Sequence, residues 1–344
     1  MKKRGMIVSN SGFEPRDDSR KTTPVRTEHR GHPKTKAVTI IVILLILVAA
    51  AAITISQSRG GPLPTWDELA HMAGFTETTE VAHAHDLCVH FIDVGQGDGM
   101  LIQSPTGETL VIDAGERGNE QTMISYIEKY GDDTIEYVVA THPHTDHIGS
   151  MDDVLDAFQI ENVIMPRLSK ENTPTTSTYK TFLTAVKRSG AKVIAAKQGY
   201  TFSLGSGVCT ILSPSVQSDD LNNMSVVLRL DWGDTSFLFT GDAETPVEKQ
   251  LLSGAYASYL DVDVLKLGHH GSSTSSSKKF LNAVTPRYSI ISCGVNNDYG
   301  HPHKETMEKL SNLDTTVLRT DVMGNIRIYS DGHTLTPECD YKGE

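Results

Sequence analysis

The chain has 344 residues, 38% hydrophobic and 22% charged, enough apolar material for a sizeable core and unlike a disordered or collagen-like composition. Its net charge of −12 conceals an asymmetry: residues 1–36 carry ten Lys/Arg against four acids, a net +6, leaving −18 on the remainder. An acidic body argues against a broad basic stripe for sequence-independent nucleic-acid binding.

In chain order, residues 1–36 read as a disordered basic tail, rich in Arg, Thr, Ser and Pro. Ala37–Ile55 is an uncharged run of 19 residues. As a helix it would reach about 28 Å, the depth of a bilayer's hydrocarbon core. The positive tail before it predicts a single-pass anchor in the cell membrane, tail in the cytoplasm and body outside. The alternative is a cleaved signal peptide cut near Ala49–Ala52, disfavoured by the 36-residue leader and the long apolar run. Residues 56–85 read as a linker, broken at Gly60-Gly61-Pro62 and Pro64.

Residues 86–338 follow an α/β (α+β) pattern. Strands are predicted at Cys88–Ile92, Met100–Gln103, Thr109–Ile112, Tyr137–Ala140, Asn162–Met165, Lys192–Ile194, Val208–Leu212, Ser225–Leu230, Ser236–Phe239, Val262–Leu265, Tyr288–Ile291 and Ile326–Tyr329. Helices are predicted near Glu120–Lys129, Asp152–Phe158, Thr178–Lys187, Thr245–Leu252, Lys278–Ala283 and His303–Leu310. The mixture of hairpins and strand–helix alternation predicts two mixed sheets with helices outside. Four cysteines (Cys88, Cys209, Cys293, Cys339) form no CxxC pair and allow either two disulfides or free thiols.

Seven of the fourteen histidines fall in three short clusters. His142-Pro143-His144-Thr145-Asp146-His147 follows an apolar strand and puts four metal-binding side chains into six residues. Imidazole nitrogen and carboxylate oxygen suit borderline divalent ions, which hydrolytic sites often use in pairs. A second cluster, Lys266-Leu267-Gly268-His269-His270-Gly271-Ser272, also follows a strand, and one of its histidines is expected to be a ligand. Asp242 in Phe239-Thr240-Gly241-Asp242 reads by itself as a turn residue or helix N-cap, and only in combination with the first cluster as a carboxylate able to bridge two cations. The third cluster, Gly294 to His303, mixes donors, Tyr299, His301 and His303, and suits an oxyanion such as phosphate.

In the order FIDVGQGD (Phe91–Asp98), IDAG (Ile112–Gly115), HPHTDH (His142–His147), FTGDAE (Phe239–Glu244), LGHHGS (Leu267–Ser272) and YGHPH (Tyr299–His303), the chain resembles the metallo-β-lactamase superfamily. More narrowly, it resembles the β-lactamase-like domain of ComEC-type competence proteins, over roughly residues 86–335. The resemblance implies a four-layer αββα fold and two divalent ions, Zn²⁺ or Mn²⁺. His142 and His144 would hold the first ion. Asp146, His147 and one of the histidine pair, preferably His269, would hold the second, with Asp242 shared. Asp113 would orient a ligand imidazole, and Asp93, Gln96 and Asp98 would lie near the site. Asn222-Asn223-Met224-Ser225 resembles what ComEC-like domains carry where most superfamily members have a further histidine. No histidine occurs between His147 and His269, so the first ion has a thin set of strong ligands.

These readings predict a membrane-anchored extracellular hydrolase, most simply a phosphodiesterase or nuclease linked to DNA uptake or to extracellular nucleic-acid processing. Two cations would bring the pKa of a water toward about 7 and supply hydroxide at neutral pH. Asp146 would orient that nucleophile, while His270, His301, His303 or Lys266 would contact phosphate or protonate the leaving oxygen. Ser225, Ser272, Asn222 and Tyr299 would support the site or touch substrate. An esterase or lactonase of the same fold and a non-catalytic metal-binding module are the alternatives.

Overall fold

The computed structural model describes residues 83–341. The basic tail, the apolar run 37–55 and the linker as far as residue 82 lie outside the described residues. Among the described residues, no helix is long and apolar enough to cross a membrane.

Period-two burial builds the strands. In β1 (Leu87–Phe91), β2 (Gly99–Gln103) and β3 (Thr109–Ala114), Val89, Phe91, Met100, Ile102, Leu110 and Ile112 point into one apolar cluster. Leu101 and Val111, one residue out of phase, join a different cluster. The chain continues through α1 (Glu120–Tyr130), β4 (Thr134–Val139), α2 (Thr145–Ile148), α3 (Met151–Ala157), β5 (Gln159–Pro166), α4 (Ser177–Ser189) and β6 (Lys192–Ala196). Thr176 caps α4 by accepting from the Tyr179 amide, and Gly190 ends it in the left-handed region that glycine tolerates.

The second half comprises β7 (Thr201–Leu204), β8 (Gly207–Ser213), β9 (Val227–Trp232), β10 (Thr235–Phe239), α5 (Thr245–Ser253), β11 (Val264–Lys266) and α6 (Lys278–Val284). It ends with β12 (Tyr288–Ile291), α7 (Lys304–Leu310), β13 (Thr316–Arg319), α8 (Thr320–Met323), β14 (Ile326–Ser330) and β15 (Leu335–Cys339). Two sheets result, ordered β15-β14-β1-β2-β3-β4-β5-β6 and β13-β12-β11-β10-β9-β8-β7. Their inner faces share one core, in which Phe91 meets Phe239 at a ring distance of 6.2 Å. Helices α1, α3 and α4 cover the first sheet's outer face through Met123, Ile127, Val154 and Phe182. Helices α5, α6 and α7 cover the second through Val247, Leu251, Phe280 and Leu310. This is a four-layer αββα arrangement, the expected fold.

Strands β3 to β6 pair in parallel, as do β10 to β13. Parallel strands deliver their carboxyl-end loops to one edge, where ligands of open α/β sheets bind. All four cysteines are free thiols, three of them buried.

Candidate metal centre

The loop after β4 is tied down before it reaches its histidines. Thr141 donates through its amide (2.8 Å) and hydroxyl (2.6 Å) to the Asp113 carboxylate at the end of β3. The same carboxylate lies 2.7 Å from His147 Nδ1, so Nε2 faces the centre. Asp113 holds a positive φ of 55°, a strained setting for a non-glycine residue. Gly97 closes the GQGD turn against the Asp146 backbone; a Cβ there would lie 2.2 Å from the Asp146 carbonyl oxygen.

On the second sheet, Asp242 follows β10 with its amide bonded to Ser225 Oγ at 3.0 Å. His269 and His270 both adopt left-handed backbone, φ 52° and 53°. That turn aims His270 inward: its Nδ1 lies 3.0 Å from the Ser292 carbonyl and 3.3 Å from Asp98 Oδ1. His270 Nε2 then sits 3.2 Å from Asp146 Oδ2 and 3.5 Å from Asp242 Oδ1. His147 Nε2 is 3.2 Å from that same Asp242 oxygen and 3.8 Å from Asp146 Oδ2. Across Asp242, His142 Nε2 lies 3.7 Å from Oδ2 and 3.0 Å from His144 Nδ1.

Asp146, His147, Asp242 and His270 thus form one group, and His142, His144 and Asp242 a second. Donors about 2.1 Å from an ion at tetrahedral corners lie about 3.4 Å apart, the spacing seen here. His147 Nε2, His270 Nε2 and Asp242 Oδ1 are sealed from solvent without a hydrogen-bond partner among the described residues. Such groups are costly unless something pairs with them. Two divalent cations sharing Asp242 fit this donor set.

The electrostatics agree. Burial alone would lower His147, but Asp242, Asp146 and Asp113 carry it well above its usual value. His270, also buried, is pushed up to about 9 by Asp242 and Asp98. Burial would raise Asp242 and Asp146, yet the facing imidazoles hold both carboxylates below their usual range. His142, desolvated and beside His147, is held well below its ordinary value and keeps a free lone pair. A field that favours protons on buried imidazoles also favours a divalent cation in their place.

Above this floor opens a cleft of about 360 Å³ that takes in Gln96, Asn222, His269, Tyr299 and His301. The geometry separates the histidine pair: His270, not the preferred His269, belongs to the four-residue group. His269 stands at the wall, Nε2 3.6 Å from Asp242 Oδ2 and Nδ1 3.4 Å from Glu244. His301 faces the cleft, and burial together with His270 lowers it to about 4, so it is neutral at pH 7.

Two expectations need correcting, those for Lys266 and His303. Lys266 does not reach the cleft: it is fully buried, its ammonium 2.7 Å from the Asp98 carboxylate, because an unpaired charge at that depth would be prohibitive. His303 does not line this cleft either. Its Nδ1 accepts from the Ser273 amide at 2.9 Å and its Nε2 reaches the Tyr299 carbonyl at 3.1 Å, tying two loops together. Ser272 is buried and accepts from the Thr274 amide. Asp93 shapes the turn by accepting from Gly95, and burial raises its carboxyl. Ser225 supports Asp242 as described, and Gln96 Oε1 accepts from the Gly294 amide.

Three participants escaped the sequence reading: Thr141, Glu116 on the cleft wall and Glu244 beside His269. Each lies within two residues of a recognised motif position, the signal that would have found them.

The sequence profile described as "Metallo-beta-lactamase superfamily" matches residues 92–295. The chain is 29% identical over 259 residues to ComE operon protein 3 of Bacillus subtilis, covering 70% of this chain and 32% of that protein. It is 34% identical over 246 residues to Recombination protein 2 of Haemophilus influenzae, covering 70% and 28%. With Competence protein ComA of Neisseria gonorrhoeae it shares 31% identity over 276 residues, covering 78% and 36%. The chain thus spans about a third of the length of these curated relatives. It belongs to the metallo-beta-lactamase superfamily and, within it, is similar to ComEC-type competence proteins.

Proposed function

We propose that the protein is a metal-dependent hydrolase that cleaves phosphodiester bonds, anchored in the cell membrane by residues 37–55 with its catalytic domain outside, and linked to DNA uptake or to processing of extracellular nucleic acid. The observation that carries this reading is the meeting of the unpartnered His147 Nε2, His270 Nε2 and Asp242 Oδ1 with Asp146 beneath an open cleft. His142, His144 and Asp242 would hold one divalent ion; Asp146, His147, His270 and Asp242 would hold the other. When bound, two such ions acidify water and offset charge developing on phosphoryl oxygens.

The chain's own residues do the rest. Asp113 fixes His147, and Asp98 with the Ser292 carbonyl fixes His270, so both rings are preorganised. Asp146, ionised and with a side chain 20% exposed, accepts a hydrogen bond from the attacking water and orients it. Neutral His301 positions a phosphoryl oxygen as a hydrogen-bonding group and does not act as a proton donor. Tyr299, 62% exposed with its ring stacked at 5.6 Å on His301, offers a face for a base or another flat group.

Carboxylates of Glu116, Asp146 and Asp242 line the cleft, and among the described residues no lysine or arginine does. A short or terminal phosphodiester suits that field better than a long duplex. The test is hydrolysis of bis-p-nitrophenyl phosphate and a short oligonucleotide, with a lactone panel alongside. Turnover is expected to vanish on chelation, return with Mn²⁺ or Zn²⁺, and be lost in Asp146→Ala and His142→Ala. Turnover without metal, or of lactones alone, would contradict the reading.

A further inference from the structure

We infer that Asn222 supplies, through its side-chain oxygen, a further ligand to the first cation, and so gives the two ion sites different metal preferences. The inference rests on the two-ion reading above. Among the described residues His142, His144 and Asp242 group on that side of the shared carboxylate, with His269 Nε2 at the wall 3.6 Å from the same Asp242 oxygen, Oδ2. A hydrolytic ion keeps a position open for water, and an ion such as Mn²⁺ takes six ligands, so that side has room for a further protein donor as well as water.

Asn222 is placed to supply that donor. It opens the short turn Asn222–Met224 and lines the same cleft as His144 and Asp242. Its Oδ1 is shut off from solvent and has no hydrogen-bond partner among the described residues. An amide oxygen buried in that way costs stability unless it is paired, and a cation is one way to pair it.

The turn is also locked to both neighbours of the site. Ser225 Oγ accepts from the Asp242 amide at 3.0 Å, Asn223 Oδ1 accepts from Glu244 at 3.3 Å, and the Val226 amide donates to the Thr141 carbonyl at 2.9 Å. Three segments meet so closely that a Cβ on Gly241 would lie 3.0 Å from Thr141 Cβ and 3.1 Å from Ser225 Oγ. The turn that carries Asn222 is therefore fixed against the segments that bear His142 and Asp242.

The chemistry then differs between the two ions. The second has two imidazoles and two carboxylates. The first would have two imidazoles, a shared carboxylate and a neutral carbonyl oxygen, a weaker set that tolerates Mn²⁺ where a third imidazole would favour Zn²⁺.

The test titrates the chelator-stripped full-length chain with MnCl₂ and with ZnCl₂ by calorimetry, with near-UV circular dichroism reporting the fold. The unaltered chain is expected to bind two ions. Asn222→Ala should bind one ion as before and the other about tenfold or more weaker. Asn222→Leu, similar in bulk and lacking the oxygen, should behave alike if the alanine variant loses its fold. Asn222→Asp should keep both ions, and Asn222→His should shift the weaker site from Mn²⁺ toward Zn²⁺. Two ions at unaltered affinity in the folded alanine or leucine variant would overturn the inference while leaving the two-ion reading intact. Fewer than two ions in the unaltered chain would overturn both.

Discussion

Lys266 and Asp98 form an ion pair with both side chains wholly removed from solvent, the ammonium nitrogen 2.7 Å from the carboxylate. Burial alone would raise the Asp98 carboxyl, but Lys266 and His270 hold it at about 2. Because Asp98 also braces His270 Nδ1 at 3.3 Å, the pair links core electrostatics to the candidate metal centre. Removing one partner leaves an uncompensated buried charge. Lys266→Met is expected to cost about 3–5 kcal/mol of unfolding free energy. The double variant Lys266→Met/Asp98→Asn should recover a large part of it. Urea denaturation reads both, and a loss in Lys266→Met below about 1 kcal/mol would contradict the pairing.

His270 and His269 separate by metal stoichiometry. His270→Ala should lose one of two ions, because its Nε2 faces Asp146 and Asp242 at 3.2 and 3.5 Å. His269→Ala should keep both. Elemental analysis after dialysis distinguishes them, and the reverse pattern would assign the inward ligand to His269.

Asp113 lies 2.7 Å from His147 Nδ1 and, in the proposed two-ion centre, would act on metal through that ring. Asp113→Asn keeps the shape but loses the charge that favours ligation through Nε2. A decline of about 10–100-fold in affinity for one ion is expected by calorimetry, with the fold retained. Unchanged affinity would make Asp113 a loop anchor for Thr141 alone.

Stability should fall with acid well before the carboxylates titrate. His90, buried under α1 between Tyr126 and Gln103 at 3.1 Å each, is lowered to about 3 by burial and by Arg327. Its folded value lies below the unfolded 6.5, so the unfolded chain takes up the proton first. Its full stability is present above about pH 6.5 and is lost as pH falls toward 3, by up to about 1.4 kcal/mol per unit. His90→Leu should flatten that slope in urea midpoints measured from pH 7.5 to 4.5. Equal slopes would assign the acid sensitivity to other groups.

The sequence made some of this legible and concealed the rest for physical reasons. His142, His144, Asp146 and His147 stand out because all four fall within six residues directly after an apolar strand. Asp242 gains meaning only in their company. Which of His269 and His270 turns inward depends on two consecutive left-handed residues and on the Ser292 carbonyl, 22 positions away. Lys266 looks like a phosphate ligand until its partner Asp98, 168 positions away, comes beside it. Twelve predicted strands have counterparts, while β7, β13 and β15 went unseen. All three are short edge strands, where pairing supplies what composition does not. β7 alternates polar residues on its exposed side, and β15 carries Pro337, tolerated at an edge because one side of the ladder is unpaired.

The most direct measurement is a crystal structure of the metal-soaked protein with anomalous scattering collected at the Mn and Zn edges. Two peaks flanking Asp242 are expected, one among Asp146, His147 and His270, the other beside His142 and His144. A single peak away from Asp242, or none at saturating metal, would contradict a two-cation centre.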